Sequence, residues 1–180
     1  MLKNIFRSRK LDRQLSEQRP NLYRLANSWC GDKMLADDLV QDTLGKALMK
    51  QEQLRDFSRM EAWLYRILHN TWMEYIRANK PSLDIDDLTL ASEETPDRKL
   101  TEQQVIVRVR NAVEILPLTQ RQVITLVDLE GCTYNEVTEI LDIPMGTVMS
   151  RLSRARKMLK DQLMNVQKNH TQHKHLRRVK

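Results

Sequence analysis

The chain has 180 residues, 41% hydrophobic and 30% charged, with a formal net charge of +6 and a pI near 9.4, a composition ordinary for a soluble globular protein with an anionic partner. No stretch approaches the roughly 20 apolar residues of a membrane span, and MLKNIFRSRK has no apolar core to act as a signal peptide, so a cytoplasmic protein is expected. Only four glycines and five prolines in this length argue for helices over sheet and turn; the charge alone leaves nucleic acid and a membrane surface both open.

Residues 1–19 are polar and basic, with Leu11 and Leu15 the only hint of a helix, and read as an N-terminal extension. Pro20 suits a first helical turn, and Leu22, Leu25, Ala26 and Trp29 make an apolar stripe that ends before Gly31. Asp32 can cap a second helix in which Leu35, Leu39, Val40, Leu44, Ala47 and Leu48 are expected inside and Asp37, Asp38, Gln41 and Asp42 outside. Gly45 inside it costs about 1 kcal/mol relative to alanine, which only close packing would explain.

Ser58 and Glu61 fit a capping box, predicting a third helix from near Arg59 through MEAWLYRILHNTWMEYIRAN. Leu64, Ile67, Leu68, Thr71 and Tyr75 form its apolar face, and Arg66, His69, Asn70, Met73 and Arg77 repeat the spacing on another. Cations interleaved with aromatics suit single-stranded nucleic acid, since stacking on a ring contributes about 1 to 3 kcal/mol per base. Trp63 and Tyr75 read as core; Tyr65 and Trp72 are open between core and stacking platform.

Between residues 80 and 100 the composition changes: PSLDIDDLTLASEETPD has six acids, no base and two prolines, the pattern of an extended acidic linker. A second module spans 101–163. Val105, Ile106, Val109, Ala112, Val113 and Leu116 share one face, Pro117 stops that helix, Thr119 with Gln122 can cap the next, Gly131 closes it, and Thr133 with Glu136 can cap another.

The last stretch, YNEVTEILDIPMGTVMSRLSRARKMLK, is a helix-turn-helix pattern. Val137, Ile140 and Leu141 face one way, Asp142-Ile143-Pro144 breaks the helix, and Val148, Leu152, Ala155 and Leu159 resume the period. Opposite that stripe stand Thr147, Ser150, Arg151 and Arg154, the placement of a recognition helix in a major groove; a solvated basic face is the plainer alternative. The tail at 164–180, with its histidines at 170, 173 and 175, reads as a disordered basic extension rather than a metal site. Cys30 and Cys132 match no zinc spacing, so reduced thiols without metal or cofactor are expected.

The expected fold class is therefore all-α: two small helical domains, at 20–79 and 101–163, joined by a flexible acidic linker, the second ending in a helix-turn-helix. The segments DLVQDTLGKAL, AWLYRILHN and ILPLTQRQVITLVDLEGCTYNEVTEILDIPMGTVMSRLSRAR resemble those of the sigma-70 family of initiation factors, in particular the small extracytoplasmic-function (ECF) group, in the family's order over nearly all of residues 20–160. This resemblance implies a region 2 at 20–79 that docks on core RNA polymerase and captures the melted −10 strand, and a region 4 at 101–163 that reads the −35 element as duplex.

By the same likeness Asp38, Leu39, Gln41 and Asp42 meet the polymerase. Asn70 contacts an extruded −10 base, the loop Leu54 to Met60 walls its pocket with Arg55 as a phosphate or base contact, and Tyr65, Arg66 and Arg77 complete the −10 set. Thr147, Ser150, Ser153 and Arg154 fall among the −35 contacts, with Arg151 and Arg156 as phosphate clamps. Met149 departs from the family, which commonly has a base there, and Ser153 is smaller than usual. An anti-sigma factor is an implied partner; no small-molecule substrate is.

A stand-alone helix-turn-helix regulator is the rival reading, but it usually needs a dimer to read two half-sites, and the chain shows no dimer seam. No Gly-rich phosphate loop, paired catalytic carboxylates or Ser-His-Asp set is visible, so an enzyme is not expected.

Overall fold

The computed structural model of the chain describes the backbone of residues 2–54, 56–79 and 102–176, and the side chains of 11–54, 56–79 and 106–164. Every regular element among them is helical. Arg55 and the linker expected at 80–100 lie outside the described residues.

Three helices make the first bundle: α1 (Leu2–Cys30), α2 (Lys33–Met49) and α3 (Met60–Asn79). The polar extension expected at 1–19 is instead the first half of α1, and Pro20 lies inside this helix, not at its start. The reason is in the spacing: Leu11 and Leu15, 2% and 4% exposed, continue the stripe of Leu22, Leu25, Ala26 and Trp29 into the core. Gly31 ends α1 in a left-handed conformation (φ 70°), and the Asp32 carboxylate accepts from the amides of Met34 and Leu35 at 2.8 and 3.2 Å to start α2.

α2 buries a narrow face of Ala36, Leu39, Val40, Thr43 and Ala47. Leu48, expected inside, is 43% exposed, because small side chains make the closest approach and Leu44 and Leu48 fall at its edge, along a groove between α1 and α2. Nothing lies within 4 Å of where a Cβ on Gly45 would stand, so close packing does not explain this glycine. The cap before α3 is Asp56 rather than Ser58: its carboxylate accepts from the Ser58 amide and hydroxyl at 2.9 and 2.7 Å, which engages the serine and moves the α-helix start to Met60, after a 3-10 turn at Phe57–Arg59.

The second bundle comprises α4 (Glu102–Glu114), α5 (Leu118–Ile124), a π-helical turn at Thr125–Leu129, α6 (Tyr134–Leu141) and α7 (Met145–Leu176). The predicted Thr119–Gln122 box does not form; α5 starts without a side-chain cap, and Gln122 is turned inward. The Thr133–Glu136 box does form, the Glu136 carboxylate accepting from the Thr133 amide at 2.8 Å while its own amide donates to the Thr133 hydroxyl. Asp142, in the left-handed region (φ 54°), makes the corner between α6 and α7. Where a disordered tail was expected from residue 164, the helical backbone of α7 continues to Leu176.

The buried side chains of the two bundles run together into one core, from Leu11 on α1 to Ala155 on α7. α3 packs on α6, and α1 on both α4 and α5.

Candidate nucleic-acid interface

The apolar stripe of α7 fixes which side chains face outward. Val148, Leu152 and Ala155 are buried, so Ser150, Ser153 and Arg154 stand exposed, with Thr147 and Arg151 half-buried beside them. Arg154 folds back along the helix, donating to the Ser150 carbonyl and hydroxyl at 3.3 Å each. Arg156, expected as a phosphate clamp, is engaged within its own bundle: Asp128 accepts from its guanidinium at 2.6 and 3.0 Å. Met149 is 55% exposed on the same helix, an apolar surface among polar neighbours.

On the first bundle, α2 and α3 enclose an open cleft of about 420 Å³ lined by Lys46, Met49, Lys50, Ile67, Asn70, Glu74 and Arg77. It holds two of the predicted −10 residues, Asn70 and Arg77, both exposed. Lys46 in the last turn of α2 and Lys50 just past its end add cations the sequence reading did not single out; their i, i+4 spacing was the available signal. Lys46 donates to the Thr71 hydroxyl at 3.1 Å and to Glu74 at 2.6 Å, so its ammonium is held over the cleft. The arrangement offers an amide with donor and acceptor, three cations, one of them paired with the Glu74 carboxylate, and an apolar wall. That set matches an unpaired base and its phosphates.

Arg66 is exposed on α3. Tyr65 corrects the prediction: it is 1% exposed, and its hydroxyl donates to Glu130 of the second bundle at 3.0 Å, with burial and that carboxylate pushing its pKa up. The open choice for Trp72 also resolves to core, at 6% exposed and stacked on Tyr75 with 5.7 Å between ring centroids. Of the predicted polymerase contacts, Asp38, Gln41 and Asp42 form an exposed acidic strip on α2. Leu39, 2% exposed, backs that strip from the core instead of joining it, because it lies on the helix face turned toward α1 and α3.

Polar side chains also join the bundles, and the sequence reading missed them. The Arg121 guanidinium, 1% exposed, donates to the carbonyls of Trp29 and Leu116 at 2.9 and 2.8 Å, which caps the end of α1 from the other bundle. Burial lowers its pKa to about 10, still charged near neutrality. The Trp29 indole donates to the Thr125 hydroxyl at 3.0 Å. His69 meets the Gln122 amide at 3.1 Å and the edge of Trp29; burial, with Arg77 adding to it, lowers the His69 pKa to about 4. Both cysteines are unpaired with raised pKa values, Cys132 to about 12 through burial, so neither carries a reactive thiolate.

These two faces are matched by two families in chain order. Residues 15–81 match the family described as Sigma-70 region 2, and residues 106–159 that described as Sigma-70, region 4. The ECF RNA polymerase sigma-E factor of Haemophilus influenzae is 34% identical over 138 residues, covering 70% of this chain and 73% of that protein. The chain belongs to the ECF sigma factors of the sigma-70 family. The sigma-E factor of Escherichia coli is likewise 34% identical, over 134 residues, covering 68% of this sigma factor and 70% of its relative.

Among solved structures, the sigma factor RpoE of Bartonella quintana, crystallised with the anti-sigma factor NepR, superimposes with a TM-score of 0.66 at 28% identity, over 86% of this sigma factor and 97% of that chain. CnrH, solved with the cytosolic domain of CnrY, shares the fold with a TM-score of 0.62 at 23% identity, over 88% of this chain and 90% of its own. The helix-turn-helix thus belongs to region 4, and the acidic strip and cationic cleft to region 2. No helix among the described residues is long and apolar enough to cross a membrane.

Proposed function

We propose that this sigma factor joins core RNA polymerase in the cytoplasm and directs it to promoters, α7 reading the −35 element as duplex while the α2–α3 cleft holds the unpaired −10 strand. One observation carries the reading: a single chain presents an exposed Ser150-Ser153-Arg154 face on a helix-turn-helix and, on a separate bundle, an open cationic cleft around Asn70. A duplex-reading helix and a single-strand cleft together are what promoter melting requires.

In this mechanism the acidic strip of Asp38, Gln41 and Asp42 docks on a basic surface of the polymerase, where charge complementarity steers the encounter and sets the register. Thr147, Ser150, Ser153 and Arg154 reach base edges in the major groove, and Arg151 a phosphate. Unpairing a base costs a few kcal/mol, which contacts from Asn70, Arg66 and Arg77 offset once the base leaves the stack. The proposal gives bond making to the polymerase and none to this chain. An anti-sigma factor is proposed as its regulator, as NepR is for the Bartonella quintana relative.

The test is transcription from a randomised promoter library with purified core polymerase. Added sigma factor should enrich templates sharing one −35 and one −10 sequence at a fixed spacing. Transcripts that start without such enrichment would refute the proposal.

A further inference from the structure

The outward face of α7 carries one side chain with no part in the proposed mechanism. Met149 is 55% exposed. It stands beside Ser150 and one turn before Ser153, both exposed, and three residues after Gly146, which is exposed too. Nothing lies within 4 Å of where a Cβ on that glycine would be. Met149 is thus a long apolar side chain flanked by short ones, in the first turns of the second helix of a helix-turn-helix.

Its polar neighbours have partners on the helix itself. In the free chain the Ser150 hydroxyl donates to the Thr147 carbonyl at 3.1 Å and accepts from the Arg154 guanidinium at 3.3 Å. A thioether has no proton to donate, and its sulfur accepts only weakly. What Met149 offers a partner is apolar surface, which gains by leaving water. In a major groove one base supplies a matching group: donors and acceptors line the edges of all four bases, and only thymine adds an apolar C5-methyl.

We infer that Met149 reads a thymine of the −35 element by packing its thioether against that methyl group. This rests on the reading of α7 as the helix that enters the duplex. A lysine or arginine in the same place would add a phosphate contact that any sequence satisfies. Methionine brings no charge, so its contribution depends on which base pair it meets. Gly146, Ser150 and Ser153 leave room for the helix backbone to approach the groove floor beside it. The unbranched methionine side chain then adjusts to the methyl by rotation about its own bonds.

The experiment uses holoenzyme assembled from core polymerase and the full chain, on the promoter enriched from the randomised library. Each thymine of the −35 element, on either strand, is replaced singly by deoxyuridine, which removes the C5-methyl and leaves every donor and acceptor in place. Wild type should bind one of these promoters about four-fold more weakly, the effect of one buried methyl group. Met149→Ala, at an exposed site where folding is not at risk, should bind the thymine parent about four-fold or more weakly and be indifferent to uridine at that position. Met149→Leu should keep the preference for the methyl. The inference is overturned if Met149→Ala retains the uridine penalty, since another side chain then holds the methyl. It is equally overturned if no uridine weakens wild-type binding, or if the enriched −35 element has no thymine on either strand. A holoenzyme with no −35 preference at all sinks the duplex-reading mechanism, whereas intact preference with equal binding of thymine and uridine promoters sinks only the role of Met149.

Discussion

The Arg121 guanidinium donates to the Trp29 carbonyl at 2.9 Å, so the last turn of α1 is completed by a side chain from the other bundle, 92 residues on. Arg121→Ala leaves carbonyls of Leu116, Ser28 and Trp29 buried without their donor and opens a cavity where a fully buried side chain stood. Stability should fall by about 2 to 4 kcal/mol. Equilibrium urea unfolding checks it; a loss under about 1 kcal/mol would show that the interface contributes little to the folded state.

His69 should make the fold acid-sensitive. Its pKa drops from the usual 6.5 to about 4 in the fold, through burial first and Arg77 second, with Asp142 opposing. The neutral ring is favoured, so its contribution is complete above about pH 6.5 and is lost as pH falls toward 4. At pH 5 the loss should be about 2 kcal/mol. Thermal melts of wild type at pH 7 and pH 5, compared with His69→Gln, test this; the variant should show the smaller acid shift.

Asn70→Ala should impair promoter opening, read by permanganate reactivity of unpaired thymines, while leaving polymerase affinity intact. Asn70 lines the α2–α3 cleft and stands on α3, whereas the Asp38-Gln41-Asp42 strip is on α2. Lost polymerase binding would move the residue from the strand site to the docking face.

Arg154 and Arg156 should separate. Arg154 is exposed on the outward face of α7, and its loss should weaken −35 dependent binding by about 1 to 3 kcal/mol, with relaxed preference at one base pair. Arg156 is already held by Asp128, so Arg156→Ala should cost DNA affinity less than about 1 kcal/mol at any −35 sequence. Binding titrations on duplexes with single −35 substitutions resolve both.

The parts of this molecule legible in its sequence are those whose causes are local. Asp32 and the Thr133–Glu136 pair cap their helices within three residues, and Gly31, Asp142 and Pro144 break helices where the chain must turn. The 3.6-residue period of Val148, Leu152 and Ala155 fixes the outward face of α7. The likeness to sigma regions 2 and 4 rests on such local segments.

Some local readings failed because a neighbour competed. Ser58 lost its capping role to Asp56, two residues earlier. Leu11 and Leu15, set among polar residues, looked too sparse for a helix until the stripe was followed through Pro20.

What tertiary structure alone decided is how the bundles meet. On the α3 stripe of Arg66, His69, Asn70, Met73 and Arg77, the first, third and last face outward while His69 is half-buried and Met73 buried; Tyr65, open between core and stacking platform by sequence, lies under Glu130, 65 residues later. Gln122, a plausible capping residue, turns to His69, and Trp29 finds its acceptor in Thr125, 96 residues away. A helical period tells which side of a helix is apolar, since that depends on neighbours three and four residues off. It carries no information on which distant helix will cover a polar group at its edge, because that depends on the relative placement of whole bundles.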